Sequence, residues 1–200
     1  MRYDIVLAGV GGQGVLALSG IIAAAALDAG LFVKQSEVHG MAQRGGAVTA
    51  HLRLSDRPVE SDLVPLGTAA LVLSLEPLES LRYLSYLKPQ GAFVTAAEPF
   101  LNIPNYPDPA QLHAHVHALP HGVVIEAERI AREVGDVQMV NTVMVGAASP
   151  FLPMNQENLE AAVRENFERK GEAVVNLNLA AFRAGRAAAR GLDAKLAVKA

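Results

Sequence analysis

Apolar and polar positions along this chain switch repeatedly between a period of two and a helical period, and the switches mark the elements. Tyr3 to Ala8 is a short apolar run containing Ile5 and Val6, which reads as a buried first strand. Val15 to Ala29 is alanine-rich and free of proline, so it reads as a helix stopped by Gly30. Leu31 to Ser36 reads as a second strand, followed by a polar, glycine-rich loop from Glu37 to Gly46. Ala47 to Ser55 sets Val48, Ala50, Leu52 and Leu54 against Thr49, His51 and Arg53, a strand with one solvated or interface face.

Further along, Ser55-Asp56-Arg57-Pro58 is a turn and Ala69 to Leu75 a fully apolar strand. Pro77 to Leu87 reads as a helix ended by Lys88-Pro89-Gln90-Gly91, and Ala92 to Ala96 as the next strand. Pro99, Pro104, Pro107 and Pro109 make an extended surface crossing. Gly122 to Ala127 is a last strand, and Glu128 to Val134 a short helix. Val137 to Ala148 reads as an apolar helix with Asn141 and Thr142 inside it, where they serve a buried or interface hydrogen bond. Asn155 caps an amphipathic helix to Glu168 with Leu159, Val163 and Phe167 at helical spacing, and Glu172 to Arg190 is the final helix.

Strands alternating with helices predict an α/β, Rossmann-like fold: a mostly parallel sheet covered by helices, with a helical C-terminal tail. Residues 1–190 are expected as one domain and Gly191 to Ala200 as a frayed tail.

Composition narrows the function classes. The chain is 51% apolar and 18% charged over 200 residues, which suits a packed globular protein and excludes disorder. The net charge of −3 gives no electrostatic reason to expect nucleic acid. With no cysteine, the chain makes no disulfide, uses no thiolate and ligates no iron–sulfur cluster through cysteine. Val15 to Leu27 is too short for a membrane span and is closed by Asp28, while Asp4 and the glycine turn break any signal-peptide core. A cytoplasmic protein is expected. So few charges leave two readings open: a generous core, or apolar surface kept for an obligate partner chain.

The candidate chemistry lies in two stretches. Gly9-Val10-Gly11-Gly12-Gln13-Gly14 follows a strand and opens a helix, the context of a dinucleotide fingerprint. In that reading Gly9 allows the turn, Gly11 lets an anion approach the backbone, and Gly14 lets helix and strand pack closely. The helix N-terminus then favours a phosphate or carboxylate, and Glu37 ends the second strand, where a ribose-binding acid belongs. The alternative is a glycine turn that only joins strand to helix tightly. Gln13 is permitted by the pattern but not predicted by it.

The second stretch is Glu37-Val38-His39-Gly40-Met41-Ala42-Gln43-Arg44-Gly45-Gly46. His39 and Arg44 are costly to bury without partners, and Arg44 is suited to clamping a carboxylate or phosphate with both guanidinium edges. A surface loop with ordinary salt bridges is the alternative. His113, His115, His117 and His121 form a cluster; on a strand the first three would share one face and could ligate zinc, on a helix they would splay apart, and no acid or cysteine completes a metal set. They read as solvated histidines, and no metal site is expected.

Taken together, Val10 to Gly14 and Glu37 to Gly46, followed by Val48 and Arg53, resemble the gamma subunit or domain of the 2-oxoacid:ferredoxin oxidoreductases. The nearest likeness is to the small (beta) subunit of the indolepyruvate-type enzymes, and it extends through Ser61, Glu76, Pro77, Asn141 and Gly146. The resemblance implies a complex that converts a 2-oxoacid to acyl-CoA and CO2 and passes electrons to ferredoxin. It implies thiamine diphosphate, Mg2+, iron–sulfur clusters and CoA in the whole complex, with none held firmly by this chain. The absence of cysteine agrees with that, as does the lack of a Gly-Asp-Gly motif with its downstream Asn; Gly135-Asp136-Val137 is not that motif. The expected partner is a large thiamine- and iron–sulfur-bearing subunit, without which this chain is inactive. A homodimer in isolation is left open. Glu37, His39, Gly40, Gln43, Arg44 and Gly45 are the expected partner and active-site interface, and Gly9, Gly11, Gly12, Gln13 and Gly14 an anion-binding turn at most.

Overall fold

A computed structural model of the chain describes residues 1–39 and 45–197; the side chains of residues 39 and 192–197 lie outside the description. Among the described residues six strands form one sheet: β1 (Arg2–Val10), β2 (Phe32–His39), β3 (Ala47–Ser55), β4 (Ala69–Ser74), β5 (Leu87–Ala96) and β6 (Gly122–Ile125). The helices are α1 (Val15–Asp28), α2 (Pro77–Arg82), α3 (Pro109–His117), α4 (Ala127–Val134), α5 (Val140–Ala148), α6 (Gln156–Phe167) and α7 (Glu172–Ala197).

The strand order is β2-β3-β1-β4-β5-β6, with β1, β4, β5 and β6 parallel neighbours. The expected mostly parallel, helix-covered sheet is what forms, with one change. β3 runs antiparallel to both β1 and β2 and sits between them. Residues 40–46 are too few for the dozen or more residues of a parallel crossover, so the chain must turn straight back. In the sheet it is β3, not β2, that lies beside β1.

Strand alternation sorts the core into two layers. Ile5, Leu7, Leu52, Leu54, Leu71, Leu73, Val94 and Ile125 pack with α1, α4, α5, α6 and α7 on one face. Val6, Val72 and Phe93 pack with Val64 and α3 on the other, thinner face. The face of β3 expected to be solvated or an interface is instead largely covered by the segment between β3 and β4. His51 is 7% and Arg53 4% exposed. Arg53 donates through Nε to Asp4 Oδ1 at 2.9 Å and through Nη1 to the carbonyls of Ser61 and Leu63. Val64 N–H donates to His51 Nδ1 at 2.8 Å. Long-range polar contacts therefore fill positions whose alternation alone suggests exposure.

Several boundaries differ from the sequence reading: α2, expected to reach Leu87, ends at Arg82, and Pro109–His117 forms the unexpected helix α3. β2 runs on through His39, so Glu37 and His39 are strand residues rather than loop residues. β5 starts at Leu87, because Lys88 to Gly91 bulge out between the Ala69–Leu87 and Leu71–Ala92 pairings; Pro89 is tolerated there since it owes the ladder no N–H. The final helix continues past Arg190 to Ala197, through a stretch without proline. The expected hydrogen bond inside α5 is present as Thr142 Oγ1 donating to Asn178 Oδ1 at 2.7 Å. Alongside it, α5 and α7 cross at backbone contact distance through Gly146 and Gly185.

Candidate functional site

The carboxyl ends of β1, β4 and β5 define one edge of the sheet, the edge where open α/β sheets bind ligands and partners. Both sequence motifs reach this edge, and they bond to each other. Gly11 N–H donates to Gly46 O at 2.8 Å, and Gly45 N–H donates back to Gly11 O at 3.2 Å. Gln13 closes the turn from within: its N–H donates to Val10 O, its Oε1 accepts from Val10 N–H at 2.7 Å, and its Nε2 donates to Leu75 O at 3.1 Å. The N–H groups that a bound phosphate would recruit at Gly11 and Gln13 thus already have protein acceptors.

The glycines are needed for reasons other than those the fingerprint suggests. Gly9 belongs to β1, and a Cβ there would lie 2.8 Å from Val15 Cγ2. The left-handed backbone falls at Gly12 (φ +104°) and Gly14 (φ +86°). Gly14 is also crowded, with Asn141 Nδ2 only 2.4 Å from where its Cβ would be. The fingerprint spacing is therefore satisfied by a tight joint packed against α5.

Glu37 stands on β2, two strand spacings from β1, or about 10 Å. A ribose-binding acid must sit on the strand next to the glycine turn, and β3 occupies that place. The geometry of a dinucleotide site is not assembled from these residues.

A third segment, the proline-rich crossing, completes the edge. Asn102 Nδ2 donates to Gly45 O at 2.6 Å. The crossing is itself anchored by Glu76, which is 1% exposed. Glu76 Oε2 accepts from Glu79 N–H at 2.7 Å as the cap of α2, while Oε1 accepts from Phe100 N–H and from the Tyr106 hydroxyl. Burial, and next the bond to Glu76, push the Tyr106 phenol far up, so it stays a neutral donor. Glu79 is also buried, and burial raises its carboxyl. Asn102 and Tyr106 were not predicted as site residues; the prolines around them gave only the signal of an extended crossing.

The result is a frame that fixes both ends of the Glu37–Gly46 stretch. Gly45 and Gly46 are tied to Gly11 on one side and Gly45 to Asn102 on the other, and β2 ends at His39. Of the expected interface residues, Glu37 and Gly45 lie on this edge. Gly40, Gln43 and Arg44 lie outside the described residues, as does the side chain of His39. Apolar side chains flank the frame: Val38, Phe100, Leu101 and Ile103 are exposed, Leu101 at 73%. His113, His115 and His117 lie on α3, a helix the sequence reading did not place, where His113 and His117 share a face and His115 points away from it; His113 Nε2 pairs with Ala97 O and His115 Nδ1 with Gln111 O. Among the described residues no group of three or more His, Cys, Asp or Glu is placed to hold a metal ion. Among the described residues, no helix is long and apolar enough to cross a membrane.

Comparison with known proteins gives this arrangement a context. The family model described as pyruvate ferredoxin/flavodoxin oxidoreductase matches residues 4–188. Indolepyruvate oxidoreductase subunit IorB of Archaeoglobus fulgidus is 38% identical over 92% of this chain and 94% of its own length. The keto/oxoacid ferredoxin oxidoreductase gamma subunit of Geobacter sulfurreducens superposes with a TM-score of 0.68 at 26% identity, covering 94% of this chain and 99% of that one. The 2-oxoglutarate:ferredoxin oxidoreductase of Magnetococcus marinus, solved with 2-oxoglutarate, coenzyme A and succinyl-CoA, superposes with a TM-score of 0.74 at 26% identity. It covers 95% of this chain, which in turn spans 31% of that longer one.

Proposed function

The chain belongs to the pyruvate ferredoxin/flavodoxin oxidoreductase family, and from that premise we propose that it works as the small subunit of a thiamine-dependent 2-oxoacid:ferredoxin oxidoreductase acting on indolepyruvate or a related arylpyruvate. The observation that carries the substrate class is 38% identity to an indolepyruvate oxidoreductase subunit along nearly the whole length of both chains. The complex forms acyl-CoA and CO2 and delivers electrons to ferredoxin in the cytoplasm.

The residues of this chain do not fit the cofactors that such a reaction needs. It has no cysteine for an iron–sulfur cluster. Its glycine turn spends the N–H groups of Gly11 and Gln13 on Gly46 O and Val10 O. Thiamine diphosphate, Mg2+ and the clusters therefore belong to a large partner subunit, and this chain is inactive alone.

Its own work is positioning. The frame of Gly11, Gly45–Gly46, Asn102 and Glu76 holds the ends of the Glu37–Gly46 stretch at the carboxyl edge of the sheet. We assign Glu37, His39, Gly40, Gln43, Arg44 and Gly45 to the surface that docks on the partner and shapes its active-site or CoA-access region. Arg44 is the group in this stretch best able to hold a carboxylate or phosphate through two bonds. Arg44→Ala in the complex reconstituted with its large subunit should depress CoA-dependent ferredoxin reduction by arylpyruvate, while the isolated chain unfolds at the wild-type temperature. Wild-type kinetics together with wild-type assembly would refute the assignment.

A further inference from the structure

The two edges of the sheet are not alike. β6 is four residues long, while β2 presents eight residues in unbroken register with β3 and, among the described residues, has no strand beyond it. Soluble proteins blunt an open edge with proline, a bulge, shortness or several charges. β2 has no proline and no bulge; its two full charges are Lys34, which donates to Glu60 O at 2.8 Å, and Glu37. Its two faces differ. On one, Leu31 and Val33 pack on the core and Gln35 Nε2 donates to Ser19 Oγ of α1. On the other, Phe32 is 48% and Val38 56% exposed, at opposite ends of the strand.

We propose that β2 is a self-recognition edge, through which two copies of the chain join antiparallel about a two-fold axis normal to the sheet, with Gln35 facing Gln35 of the second copy. The sequence of the strand selects that register. A two-fold axis normal to the sheet keeps the same face up in both copies, so only residues of equal parity can face each other. Centring the pair on residue 34 sets Lys34 against Lys34, and centring it on residue 37 sets Glu37 against Glu37; like charges directly opposed are unfavourable. Two central registers remain. Centred on Ser36, Val38 faces Lys34 and Phe32 falls beyond the paired strand. Centred on Gln35, Phe32 faces Val38 of the second copy at both ends, Lys34 faces Ser36, and both exposed apolar residues are covered. The occupant is a second copy because in this register the two exposed apolar ends cover each other and no like charges are opposed, Lys34 facing Ser36 and Glu37 facing Val33. This inference does not depend on the assigned substrate or cofactors.

A strand pair of this length buries less than a standard stable interface, so association on the order of tens of micromolar is expected. The absence of cysteine makes the test clean. Directly opposed residues on antiparallel strands have Cα atoms within about 5.5 Å, inside disulfide range. Residues displaced one position to either side of the axis are about 8 Å apart and outside it. Gln35→Cys and Ser36→Cys chains, each purified full length and checked for wild-type thermal unfolding, are oxidised at about 100 µM. Disulfide dimer from Gln35→Cys but not from Ser36→Cys is the expected result. Dimer from Ser36→Cys alone, from both equally, or from neither would overturn the proposal. Sedimentation of the unmodified chain gives a second reading: a shift from monomer to dimer between 1 and 100 µM, abolished by Val38→Lys, is expected, and a monomer throughout would overturn it.

Discussion

The crossing of α5 and α7 permits a prediction with a definite size. A Cβ at Gly146 would lie 2.0 Å from Phe182 O, 2.8 Å from its carbonyl carbon and 3.0 Å from its Cα. A Cβ at Gly185 would lie 2.0 Å from Val143 O. The obstacle is helix backbone in both cases, so no side-chain rotation relieves it. Ordinary contact begins near 3.4 Å, so Gly146→Ala must push the helices apart by more than an ångström at their closest point. That gap opens beside Val143, Met144, Ala147, Ala181 and Phe182, all fully buried. Overpacking typically costs about 1–3 kcal/mol, and a backbone-to-backbone clash belongs at or above the top of that range. For a chain of this size, about 3 kcal/mol lowers Tm by roughly 6–12 °C. Gly20 provides the contrast. It sits on α1, exposed, and its Cβ would meet nothing within 4 Å. Gly20→Ala should therefore raise stability by about 0.5–1 kcal/mol through helix propensity. Thermal unfolding followed by circular dichroism reads both variants. A Gly146→Ala Tm within a degree or two of wild type, or one no lower than that of Gly20→Ala, would refute the packing argument.

Arg53→Ala should cost about 2–4 kcal/mol, because it leaves the Asp4 carboxylate, 3% exposed, with only Arg2 Nε and Thr68 Oγ1 on its Oδ2 and frees two carbonyls of the Ser61–Leu63 segment; urea unfolding measures it, and a loss below about 1 kcal/mol would contradict the buried pairing. His51 should make stability depend on pH in one direction. Burial lowers its pKa below the usual 6.5, against weaker opposing pulls from Asp62 and Asp4, and its Nδ1 accepts from Val64 N–H, which protonation forbids. The unfolded chain then binds the proton more readily, so stability is full above about pH 6.5 and falls as pH drops toward the depressed folded value. Tm measured from pH 7.5 to 5 should fall more steeply for wild type than for His51→Asn, and parallel curves would remove His51 from the account.

What the sequence made legible was local. The strand–turn–helix from β1 to α1, the cap of Asn155 on α6 and the buried role of Thr142 all follow from short-range patterns. What it hid was made by distant partners. The alternation of His51 and Arg53 reads as an exposed face until residues 61–64 close over it. The glycine fingerprint reads as a nucleotide turn until Gly46 O occupies the Gly11 N–H. The length of one connection makes β2 and β3 an antiparallel pair, but that β3 and not β2 lies beside β1 is seen only in the fold, and it removes Glu37 from the place where a ribose-binding acid would act. Asn102 and Tyr106 carried no signal because their contacts, Gly45 and Glu76, lie far away along the chain. Conversely, the likeness to a known family rested on both motifs together, and the structure joins those two motifs by direct backbone bonds.

The central claim is that this chain is an essential, non-autonomous part of an indolepyruvate-oxidising complex. Its most direct test is CoA-dependent reduction of ferredoxin by indolepyruvate, measured with the chain alone, with its co-expressed large subunit alone, and with the two combined. The account predicts turnover only from the combination, with both chains co-purifying. Full turnover by the large subunit without this chain, or turnover by this chain alone, would contradict it.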